Sequence, residues 1–508
     1  MGAELAARGG AGGPVVVVGG GLGGLAAAIR LGAAGQAVRL VEAGPRLGGK
    51  AGIAEIDGVE VDTGPSVLTM VDALDRTLAL AGLDRAAVVG LRAPVPAFRY
   101  RYPGGPVLDV FPSPADTLDS VGRALGADAR ADLAGFLAYS RQIWEAAAPR
   151  FVYGPAPTFA NVLRMGLGAL RDLPRIDPLS TMAGAIRRRV RSPELRALLL
   201  RYATYNGSDP RRAPATLNCI AHVELALGGY GVEGGVYAMV RALEAAARRV
   251  GVVIETGRPV QRLVVEGGRV AGVSLADGAV LPARAVVLNA DAALLHRGPE
   301  GLVPPGAPGA LPAPKVPSTS GWTAILRARR REGPEARVAH EVLFPARYEA
   351  EFEDLFDHRR PPVEPTLYLC AQEANHGRRG WEHDEPVFVM VNAPAEPAAG
   401  PPTPVATWEA LEATVAARLR AHGLASPGDA FVWSRTPAGL AAAFPGSRGA
   451  LYGAASNDPG AAFRRPPNTI AALPGLHLAS GSAHPGGGMP MALLSGLRAA
   501  DELLRGAP

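Results

Sequence analysis

A continuous run of apolar residues, Val15 to Val18, gives the chain its first clear pattern and leads directly into a cluster of glycines. An unbroken valine run is typical of a parallel strand that is buried on both faces. Residues 25–31 continue as an apolar helix, and the stretch GQAVRLVE after Gly35 predicts a second strand. The pattern therefore predicts a strand–helix–strand unit, which belongs to an α/β fold with a parallel sheet.

Residues 251–291 form a second region rich in strand-forming residues. The pairs Gly267–Gly268 and Asp277–Gly278 are typical of tight hairpin turns. The region predicts a strand, a hairpin and a returning strand that ends at 289–291. Near the end of the chain, residues 473–504 predict a strand, a glycine-rich loop and a helix.

The glycines after the first strand have the spacing of a dinucleotide-binding loop. Gly19, Gly21 and Gly24 form the pattern G-x-G-x-x-G between a strand and a helix. In such a loop the first glycine permits the tight turn, the second lets a pyrophosphate approach the backbone, and the third lets the helix pack closely on the strand. The N-terminus of the helix then faces the phosphates with the positive end of its dipole.

An acidic residue ends the second predicted strand. Glu42 follows Gly24 by 18 residues, close to the roughly 20 expected for a carboxylate that accepts hydrogen bonds from a ribose. An ordinary glycine-rich turn explains the glycines alone, but it does not explain the strand, the helix and the carboxylate together. The predicted contacts of this part of the site are Gly19, Gly21, Leu22, Gly23, Gly24, Glu42 and Ala43.

A second glycine pair distinguishes a flavin site from a nicotinamide site. Arg46, Gly48, Gly49 and Lys50 follow Glu42 in the stretch EAGPRLGGKAG. This stretch resembles the E-A-x-x-R-x-G-G-R/K signature of the glutathione-reductase-type and amine-oxidase-type flavoproteins. A second turn of bare backbone with a cation beside it can contact the flavin side of the dinucleotide, and a nicotinamide site has no use for it. We therefore predict FAD, with lysine as a point charge where many relatives carry the fork-shaped arginine.

Segments far apart in the sequence are expected to complete the FAD site. The stretch 58–70 can run beside the ribityl chain. In similar flavoproteins, the residue that matches Val260 meets the adenine through its backbone. A helix that begins near Met489 can stabilise negative charge on the reduced flavin. The predicted contacts in these segments are Gly64, Pro65, Ser66, Val260, Asp291, Gly481 and Met489.

Three stretches together resemble the bacterial phytoene desaturase family of carotenoid desaturases, within the wider group of amine-oxidase-like flavoproteins. They are VDTGPSVLTM at residues 61–70, the segment 201–244 that contains YNGSDPRRAPA, and AHPGGGMPMALLSG at residues 483–496. The likeness spans residues 14–505. The middle stretch is most similar to the hydroxycarotenoid 3,4-desaturase branch, while the chain also fits phytoene, diapophytoene and zeta-carotene desaturases.

The resemblance implies an FAD-dependent oxidoreductase of carotenoid biosynthesis. Such an enzyme introduces carbon–carbon double bonds into an acyclic carotenoid, here phytoene, zeta-carotene, neurosporene or a 1-hydroxy derivative. One hydrogen leaves as a hydride to flavin N5, and the second leaves as a proton to a weak base or water. The electrons would then pass to oxygen or a quinone. Because the cofactor carries most of this chemistry, no catalytic side chain is assigned.

Histidines and cysteines offer little further chemistry. His484, in the C-terminal glycine-rich loop, is expected to hold backbone rather than to accept a proton. His222 and Glu224 are interpreted as a structural polar pair. Cys219 and Cys370 are far apart, which argues against a disulfide framework or a thiolate metal site and fits a reducing compartment. The sequence shows no metal-ligand spacing.

The composition limits the class of partner. The chain of 508 residues has 48% hydrophobic residues and a net charge of +5, which is too mild to indicate a nucleic acid. No run reaches the roughly 20 apolar residues that a spanning helix needs. The long hydrophobic isoprenoid substrate that the resemblance implies is dissolved in membrane, so we expect a cytoplasmic protein that associates peripherally with the membrane surface.

Three segments bear on that association. Residues 157–173 have apolar residues at near-helical spacing and are interpreted either as a helix in the membrane interface or as a core helix. The basic clusters at 187–191 and 327–331 fit contact with an anionic membrane, although solvated helix faces explain them as well.

The order of the segments predicts two interleaved domains. A Rossmann-type FAD-binding domain, like that of glutathione reductase and the amine oxidases, takes residues 14–95, 232–315 and 450–508. An α+β substrate domain, which would face the membrane, takes residues 96–231 and 316–449. Residues 1–13 are predicted to be a flexible tail.

Three other functions on the same fold stay open. A soluble amine or amino-acid oxidase is expected to place an aromatic cage at the flavin face, and a chain with 6% aromatic residues offers little support for one. A carotenoid cis–trans isomerase would use FAD without net oxidation. A flavin-binding carrier without a redox role has the least support. The mass of the product distinguishes these functions.

Overall fold

The valine run forms the centre of a parallel sheet, as the sequence predicts. The computed structural model describes residues 13–157, 173–314 and 316–506. Val15–Val18 pairs in parallel with Val38–Val41 on one side and with Ala285–Leu288 on the other. All four valines are buried, which explains why this strand is apolar on both faces.

Nineteen strands occur among the described residues, some in consecutive runs and some separated by helices. The strands are β1 Val15–Val18, β2 Val38–Val41, β3 Ile53–Ile56, β4 Val59–Asp62, β5 Leu91–Arg92, β6 Phe98–Arg101, β7 Val107–Val110, β8 Gly231–Val232, β9 Val253–Glu255, β10 Val260–Glu266, β11 Arg269–Leu275, β12 Val280–Pro282, β13 Ala285–Leu288, β14 Ser320–Arg329, β15 His340–Leu343, β16 Leu367–Ala371, β17 Asp384–Ala393, β18 Ala430–Arg435 and β19 Leu476–Leu478.

The α-helices of the described residues cover both large sheets. They are α1 Leu22–Ala33, α2 Asp72–Ala79, α3 Arg85–Val88, α4 Pro114–Leu125, α5 Ala127–Ala147, α6 Met182–Arg189, α7 Pro193–Arg201, α8 Cys219–Leu225, α9 Val236–Arg249, α10 Tyr348–Phe352, α11 Gln372–His376, α12 Val405–Ala421, α13 Pro437–Ala443, α14 Ala461–Arg464 and α15 Met489–Arg505.

Five strands form the parallel sheet, in the order β19, β13, β1, β2 and β9. Helices α1, α9 and α15 pack together on this sheet and bury a shared apolar core. A three-stranded antiparallel sheet of β10, β11 and β12 lies beside it. The hairpin between β10 and β11 turns at Gly267 and Gly268, which have φ of +55° and +75°, so the predicted hairpin is confirmed.

A mixed sheet of seven strands forms the second large layer, in the order β18, β14, β17, β16, β15, β6 and β7. Neighbouring strands are antiparallel except β15 and β6, which run parallel. Helices α4 to α8 pack against part of this sheet. The combination of a Rossmann-type parallel sheet and a mixed α+β layer confirms the predicted fold class.

The two large sheets draw their strands from alternating parts of the chain. The parallel sheet uses residues 15–41, 253–288 and 476–478, whereas the mixed sheet uses residues 98–110 and 320–435. We propose that these sheets mark the two interleaved domains, with the bounds given by the sequence.

Two predictions fall mainly outside the described residues. Of the predicted tail 1–13 the structure describes residue 13, and of the predicted interface or core helix at 157–173 it describes the end residues. Among the helices that are described, none combines the length and the apolarity needed to cross a lipid bilayer.

Arginines of both basic clusters form ion pairs with carboxylates of the same chain. Arg191 pairs with Asp132 at 3.0 Å, and Arg330 pairs with Glu373 at 2.8 Å. These contacts favour a solvated, ion-paired surface for the first cluster, whereas the Arg330 side chain in the second cluster is largely buried.

Candidate FAD and substrate site

Four loops meet at the carboxyl edge of the parallel sheet. They follow β1, β2, β13 and β19 and carry Gly19, Glu42, Asn289 and Ala479. The Gly19 N–H donates to the Val41 carbonyl at 2.8 Å, which joins the first two loops. In open α/β sheets a ligand binds outside the carboxyl ends of the strands, so a dinucleotide is expected at this edge.

The glycines of the first loop stand where no side chain fits. A Cβ at Gly19 would lie 2.5 Å from the Asn289 carbonyl oxygen, and one at Gly21 would lie 2.7 Å from Asn289 Oδ1. A Cβ at Gly24 would lie 2.0 Å from the Gly19 carbonyl oxygen, and Gly19 itself has φ of +99°. Leu22 and Gly23 then begin α1. The loop presents bare backbone beside a helix N-terminus, which is the cradle that a pyrophosphate requires.

The second glycine pair lies directly against the first loop. The Gly48 N–H donates to the Gly20 carbonyl at 2.8 Å, and Gly21 and Gly48 form an isolated parallel bridge. A Cβ at Gly49, which has φ of +57°, would lie 3.3 Å from the Gly21 Cα. Two turns of bare backbone are therefore brought together, as the spacing in the sequence suggests.

Glu42 and Val260 lie in neighbouring segments at the end of β2. The Glu42 carboxylate accepts the Gly20 N–H at 2.6 Å and the Gly44 N–H at 2.8 Å. The Arg258 N–H donates to the Glu42 carbonyl at 2.8 Å, and Val260 begins β10 two residues later. The carboxylate predicted to bind a ribose and the backbone predicted to meet an adenine are thus close together, with Ala43 next to them.

Lys50 is a half-buried cation that connects distant parts of the chain. Its ammonium donates to the carbonyls of Ala450 at 2.9 Å and Leu451 at 2.8 Å. Burial lowers the pKa of Lys50, and the negative charge of Asp291 opposes this shift. Lys50 therefore holds the second glycine turn against the segment that leads to the C-terminal loop.

Arg46 and Asp291 have partners of their own. The Arg46 side chain is 51% exposed and lies 4.0 Å from Glu55, so the structure does not bring it into the buried site with Lys50. The Asp291 carboxylate accepts the Ala293 N–H at 2.9 Å and caps a short 3₁₀ turn.

Gly64, Pro65 and Ser66 follow β4 and line a large cavity. A Cβ at Gly64 would lie 2.1 Å from the Lys50 carbonyl oxygen, so this segment packs on the second glycine turn. Met489, the first residue of α15, lines the same cavity. Four of the predicted flavin-side contacts, Gly64, Pro65, Ser66 and Met489, therefore line one cavity.

The C-terminal glycine-rich loop closes the space next to this helix. A Cβ at Gly481 would lie 3.4 Å from the Gly487 Cα, so the two ends of the loop are in contact. Arg465, which is half-buried, donates to the carbonyls of Gly481 at 3.1 Å and Tyr452 at 3.2 Å. Burial lowers the pKa of Arg465 to about 10. The sequence did not single out Arg465, because the stretch RRPP at residues 464–467 matches no cofactor-binding motif.

The cavity has a volume of about 520 Å³ and lies between the C-terminal loop and the seven-stranded sheet. Most of its wall is apolar. Side chains from α5, the turn after it, α8 and the mixed sheet contribute to it, among them Trp144, Phe151, Ile220, Tyr368, Phe388 and Met390. This size lies within the range of roughly 300 to 1,000 Å³ that is usual for ligand pockets.

His484 lines the cavity and forms a hydrogen bond with a backbone carbonyl. Its Nε2 lies 3.1 Å from the Gly154 carbonyl oxygen, so the ring donates from Nε2. Burial lowers the pKa of His484 to about 4, which keeps the ring neutral at neutral pH. This contact is of the kind expected from the sequence.

His222 and Glu224 do not form the predicted polar pair. Both belong to α8, but the Glu224 carboxylate accepts hydrogen bonds from Tyr202 Oη at 3.0 Å and from Tyr205 Oη. Burial, together with the positive charge of Arg141, lowers the pKa of His222. The interpretation is wrong because the tyrosine partners come from the turn after α7, a contact that residue spacing does not reveal.

A buried cation, Arg201, is a second residue that sequence analysis missed. It ends α7, is 7% exposed and lines the cavity. Its Nη1 donates to Tyr205 Oη at 3.1 Å and to Tyr100 Oη at 3.4 Å. An arginine at the end of a helix is usually a surface residue, so nothing in the sequence pattern indicated its burial.

The residues that are present fit FAD. Two glycine turns leave room for a pyrophosphate at the N-terminus of α1, and a cavity begins where the flavin end of the dinucleotide would lie. The fold and the site together define an FAD-dependent oxidoreductase. No cluster of three or more potential metal ligands occurs among the described residues.

Comparisons with known proteins agree with this class. A profile of the family described as flavin containing amine oxidoreductase matches residues 22–376. The hydroxyneurosporene desaturase of Rubrivivax gelatinosus is 36% identical over 96% of this chain and 93% of its own length. The 4,4'-diapolycopene oxygenase of a Methylomonas species is 31% identical over 96% of this chain and 98% of its own. A structure of a putrescine oxidase variant shares the fold, with a TM-score of 0.61 and 17% identity over 97% of this chain and 99% of that one.

The chain belongs to the flavin-containing amine oxidoreductase family and, within it, to the carotenoid desaturase group. The predicted family, the FAD cofactor and the oxidoreductase class are confirmed.

Proposed function

We propose that the protein is a carotenoid desaturase, which removes two hydrogens from adjacent saturated carbons of an acyclic carotenoid. The observation that carries this proposal is the mostly apolar cavity that begins at the flavin-side loops and extends under the mixed sheet. Relatives named as a hydroxyneurosporene desaturase and a diapolycopene oxygenase support a linear polyene as the substrate. Phytoene, zeta-carotene, neurosporene and their 1-hydroxy derivatives are the candidates.

FAD would be held by the residues predicted from the sequence. Glu42 would bind the ribose, the two glycine turns would receive the pyrophosphate, and Met489 would border the flavin with the N-terminus of α15. When bound, FAD supplies the two-electron acceptor, with flavin N5 as the proposed acceptor of the hydride. The full set is Gly19, Gly21, Leu22, Gly23, Gly24, Glu42, Ala43, Arg46, Gly48, Gly49, Lys50, Gly64, Pro65, Ser66, Val260, Asp291, Gly481 and Met489. Arg46 would have to leave its exposed partner Glu55 to contact FAD.

In this reaction the polypeptide would orient the substrate and exclude water. The apolar wall around Phe388 and Met390 would hold a polyene in one orientation and keep bulk water from the reacting carbons. His484 is neutral and donates to a carbonyl, so it would position the loop rather than take the proton. The proton would leave to water at the open side of the cavity.

An amine oxidase is the main competing function, and the charges in the cavity argue against it. Arg201 places a positive charge in the wall, where it would repel a protonated amine. Asp458, a carboxylate among the described lining residues, is already paired with Arg464. The solved amine oxidase is similar enough to support the fold alone.

We also propose peripheral association with a membrane surface, in the cytoplasm, and reoxidation by oxygen or a quinone. Leu179 is 95% exposed and Phe463 is 56% exposed, and each adjoins a residue of the cavity wall, Pro178 and Ala462. Large exposed apolar side chains beside a cavity fit an entrance for a ligand that is dissolved in lipid.

A product assay tests the proposal. FAD-loaded protein is mixed with liposomes that carry phytoene, zeta-carotene, neurosporene or 1-hydroxyneurosporene, and extracts are analysed by chromatography, absorbance and mass. Loss of two hydrogens with a red-shifted spectrum is expected. A changed spectrum at unchanged mass would identify an isomerase. No change with any polyene, in protein that retains FAD, would contradict the proposal and favour an amine oxidase.

A further inference from the structure

Arg201 carries a charge in the wall of an otherwise mostly apolar cavity. Its side chain is buried, and no carboxylate of the described residues lies within 4.0 Å of its guanidinium. Arginine keeps its charge at all ordinary pH values. Because a buried charge without an ion pair is costly, the position of Arg201 requires compensation from other groups.

Aromatic rings provide part of this compensation. The guanidinium carbon lies 5.1 Å from the ring centre of Tyr205 and 5.6 Å from those of Phe98 and Tyr368. Each ring face attracts the cation. The two phenol oxygens that accept from Nη1 fix the direction of the head group. Tyr205 in turn donates to the buried Glu224 carboxylate, whose negative charge offsets part of the charge of Arg201. The rings and phenols therefore hold the guanidinium in one place.

Most donors of the guanidinium stay free in this arrangement. Nη1 donates to the phenols, but no acceptor among the described residues is hydrogen-bonded to Nε or Nη2. The turn that follows Arg201 lines the cavity with it through Thr204, Tyr205 and Asn206. The chain thus places a row of polar groups, with unused N–H donors, in the wall of a cavity that is suited to a hydrocarbon chain.

We propose that Arg201 binds an oxygen atom at one end of the linear apolar substrate. This inference rests on the proposed function for the nature of the chain and adds the chemistry of its end group. Arginine has donors and no acceptor, so its ligand must supply a lone pair, as a hydroxyl, ether or carbonyl oxygen does. A pure hydrocarbon end would leave the buried N–H groups without partners, and sites of this kind discriminate strongly against such ligands.

Arg201 is then a specificity-determining residue and takes no part in the removal of hydrogen. An oxygen function held at this point fixes how far the chain reaches along the cavity. That position decides which carbon–carbon bond lies at the flavin side. The guanidinium can donate to an alcohol or to an aldehyde oxygen, so an experiment must distinguish these two end groups.

Binding of matched polyenes tests the inference without turnover. Linear polyenes of equal length that end in a hydrocarbon, a hydroxyl or an aldehyde group are presented in detergent micelles to the FAD-loaded protein. Trp144 lines the cavity, so quenching of tryptophan fluorescence reports occupancy. We expect the oxygenated polyenes to bind roughly tenfold to a hundredfold more tightly than the hydrocarbon. The stronger of the two oxygenated ligands identifies the end group.

Three variants separate recognition from folding. Arg201→Met keeps an unbranched apolar stem without the guanidinium and should abolish the preference for oxygen while binding of the hydrocarbon is retained. Arg201→Lys keeps the charge without the fork and should keep part of the preference. Arg337→Met removes another buried arginine, which pairs with Glu385 at 3.0 Å and does not line the cavity. That control should bind all polyenes with the wild-type ratio.

A second measurement, reduction of the flavin by each polyene under anaerobic conditions, separates this inference from the desaturase proposal. Equal affinity of the wild type for the three polyenes, or an unchanged ratio in Arg201→Met, overturns the inference. If the Arg201 inference is overturned but the hydrocarbon polyene still reduces the flavin under anaerobic conditions, the desaturase proposal stands. Failure of every polyene both to bind and to reduce the flavin overturns the two together. If Arg201→Met does not fold, the inference is tested by the ratio of affinities for oxygenated and hydrocarbon polyenes in the wild type and in Arg201→Lys.

Discussion

The carbonyl oxygen of Gly23 lies 2.0 Å from the position that a Cβ on Gly496 would occupy. Gly23 is at the start of α1, next to the dinucleotide-binding loop, and Gly496 is in the middle of α15. The two helices therefore touch backbone to backbone. Because α15 begins at Met489 on the cavity, this contact sets the distance between the pyrophosphate cradle and the flavin side of the site.

Gly496→Ala should weaken both the fold and the binding of FAD. The added methyl group must push α15 away from α1, and overpacking of this kind costs roughly 1 to 3 kcal/mol. The measurements are the ratio of flavin to protein absorbance and the free energy of unfolding in urea. Gly135→Ala is the matched control, since Gly135 lies inside α5 with no atom within 4 Å of its Cβ position. It should be neutral or slightly stabilising. Equal behaviour of the two variants would refute the helix contact as a determinant of the site.

Gly21→Val should abolish FAD binding. Its Cβ would lie 2.7 Å from Asn289 Oδ1, and its methyl groups would occupy the space where the pyrophosphate approaches the backbone. Flavin content after purification, and after incubation with excess FAD, measures the effect. Gly428→Ala, at an open position, serves as the control. Full flavin occupancy in Gly21→Val would contradict the assignment of the first glycine loop.

Lys50→Met should destabilise the connection between the second glycine turn and the segment at 450–451. The ammonium makes two hydrogen bonds to carbonyls in a half-buried position, and loss of one such charged contact costs roughly 1.5 to 3 kcal/mol. Both the free energy of unfolding and the FAD affinity are expected to fall. Lys50→Arg keeps the charge and tests whether the site tolerates a fork-shaped cation. A variant Lys50→Met with wild-type stability and affinity would show that the two carbonyls need no donor.

Local patterns were sufficient to predict most of the FAD-binding architecture. The valine run, the hairpin turn at Gly267–Gly268 and the helix start at Met489 each depend on neighbours within a few residues, and each is where the pattern placed it. The sequence also predicted two glycine turns for one dinucleotide, and the structure adds that a bridge between Gly21 and Gly48 joins them.

Contacts between distant segments could not be predicted in this way. Asn289 fills the space around Gly19 and Gly21, although 268 residues separate Asn289 from Gly21 in the chain. Arg201 is buried because rings from β6, β16 and the turn after α7 surround it. Periodicity reports which face of an element is apolar, but it does not report which other element meets that face.

The free energy of unfolding should depend on pH through His484. Burial lowers the pKa of His484 to about 4, below the usual value of about 6.5 in an unfolded chain. Between about pH 6.5 and 4 the unfolded state binds a proton that the folded state does not, so stability falls as pH falls. The slope for one such group is about 1.4 kcal/mol per pH unit.

The variant His484→Asn isolates this contribution. An asparagine amide can still donate a hydrogen bond in this position but does not titrate. Unfolding in urea between pH 7 and 4.5 should show a weaker pH dependence in the variant than in the wild type. His477, whose pKa burial also lowers to about 4, remains in both proteins and acts in the same direction. Identical slopes would show that His484 is protonated equally in the folded and unfolded states.

Cys219 offers a chemical probe of the cavity. Burial raises the pKa of its thiol to about 12, and the residue lines the cavity wall. Since the thiolate is the reactive form, alkylation of the native protein at pH 7.5 should be on the order of a thousandfold slower than that of a free thiol. A bound polyene should slow it further by covering the side chain. Mass spectrometry after timed exposure to an alkylating reagent measures both effects, and Cys219→Ser identifies the labelled site. Rapid labelling that a saturating polyene leaves unchanged would show that ligand and thiol do not share this cavity.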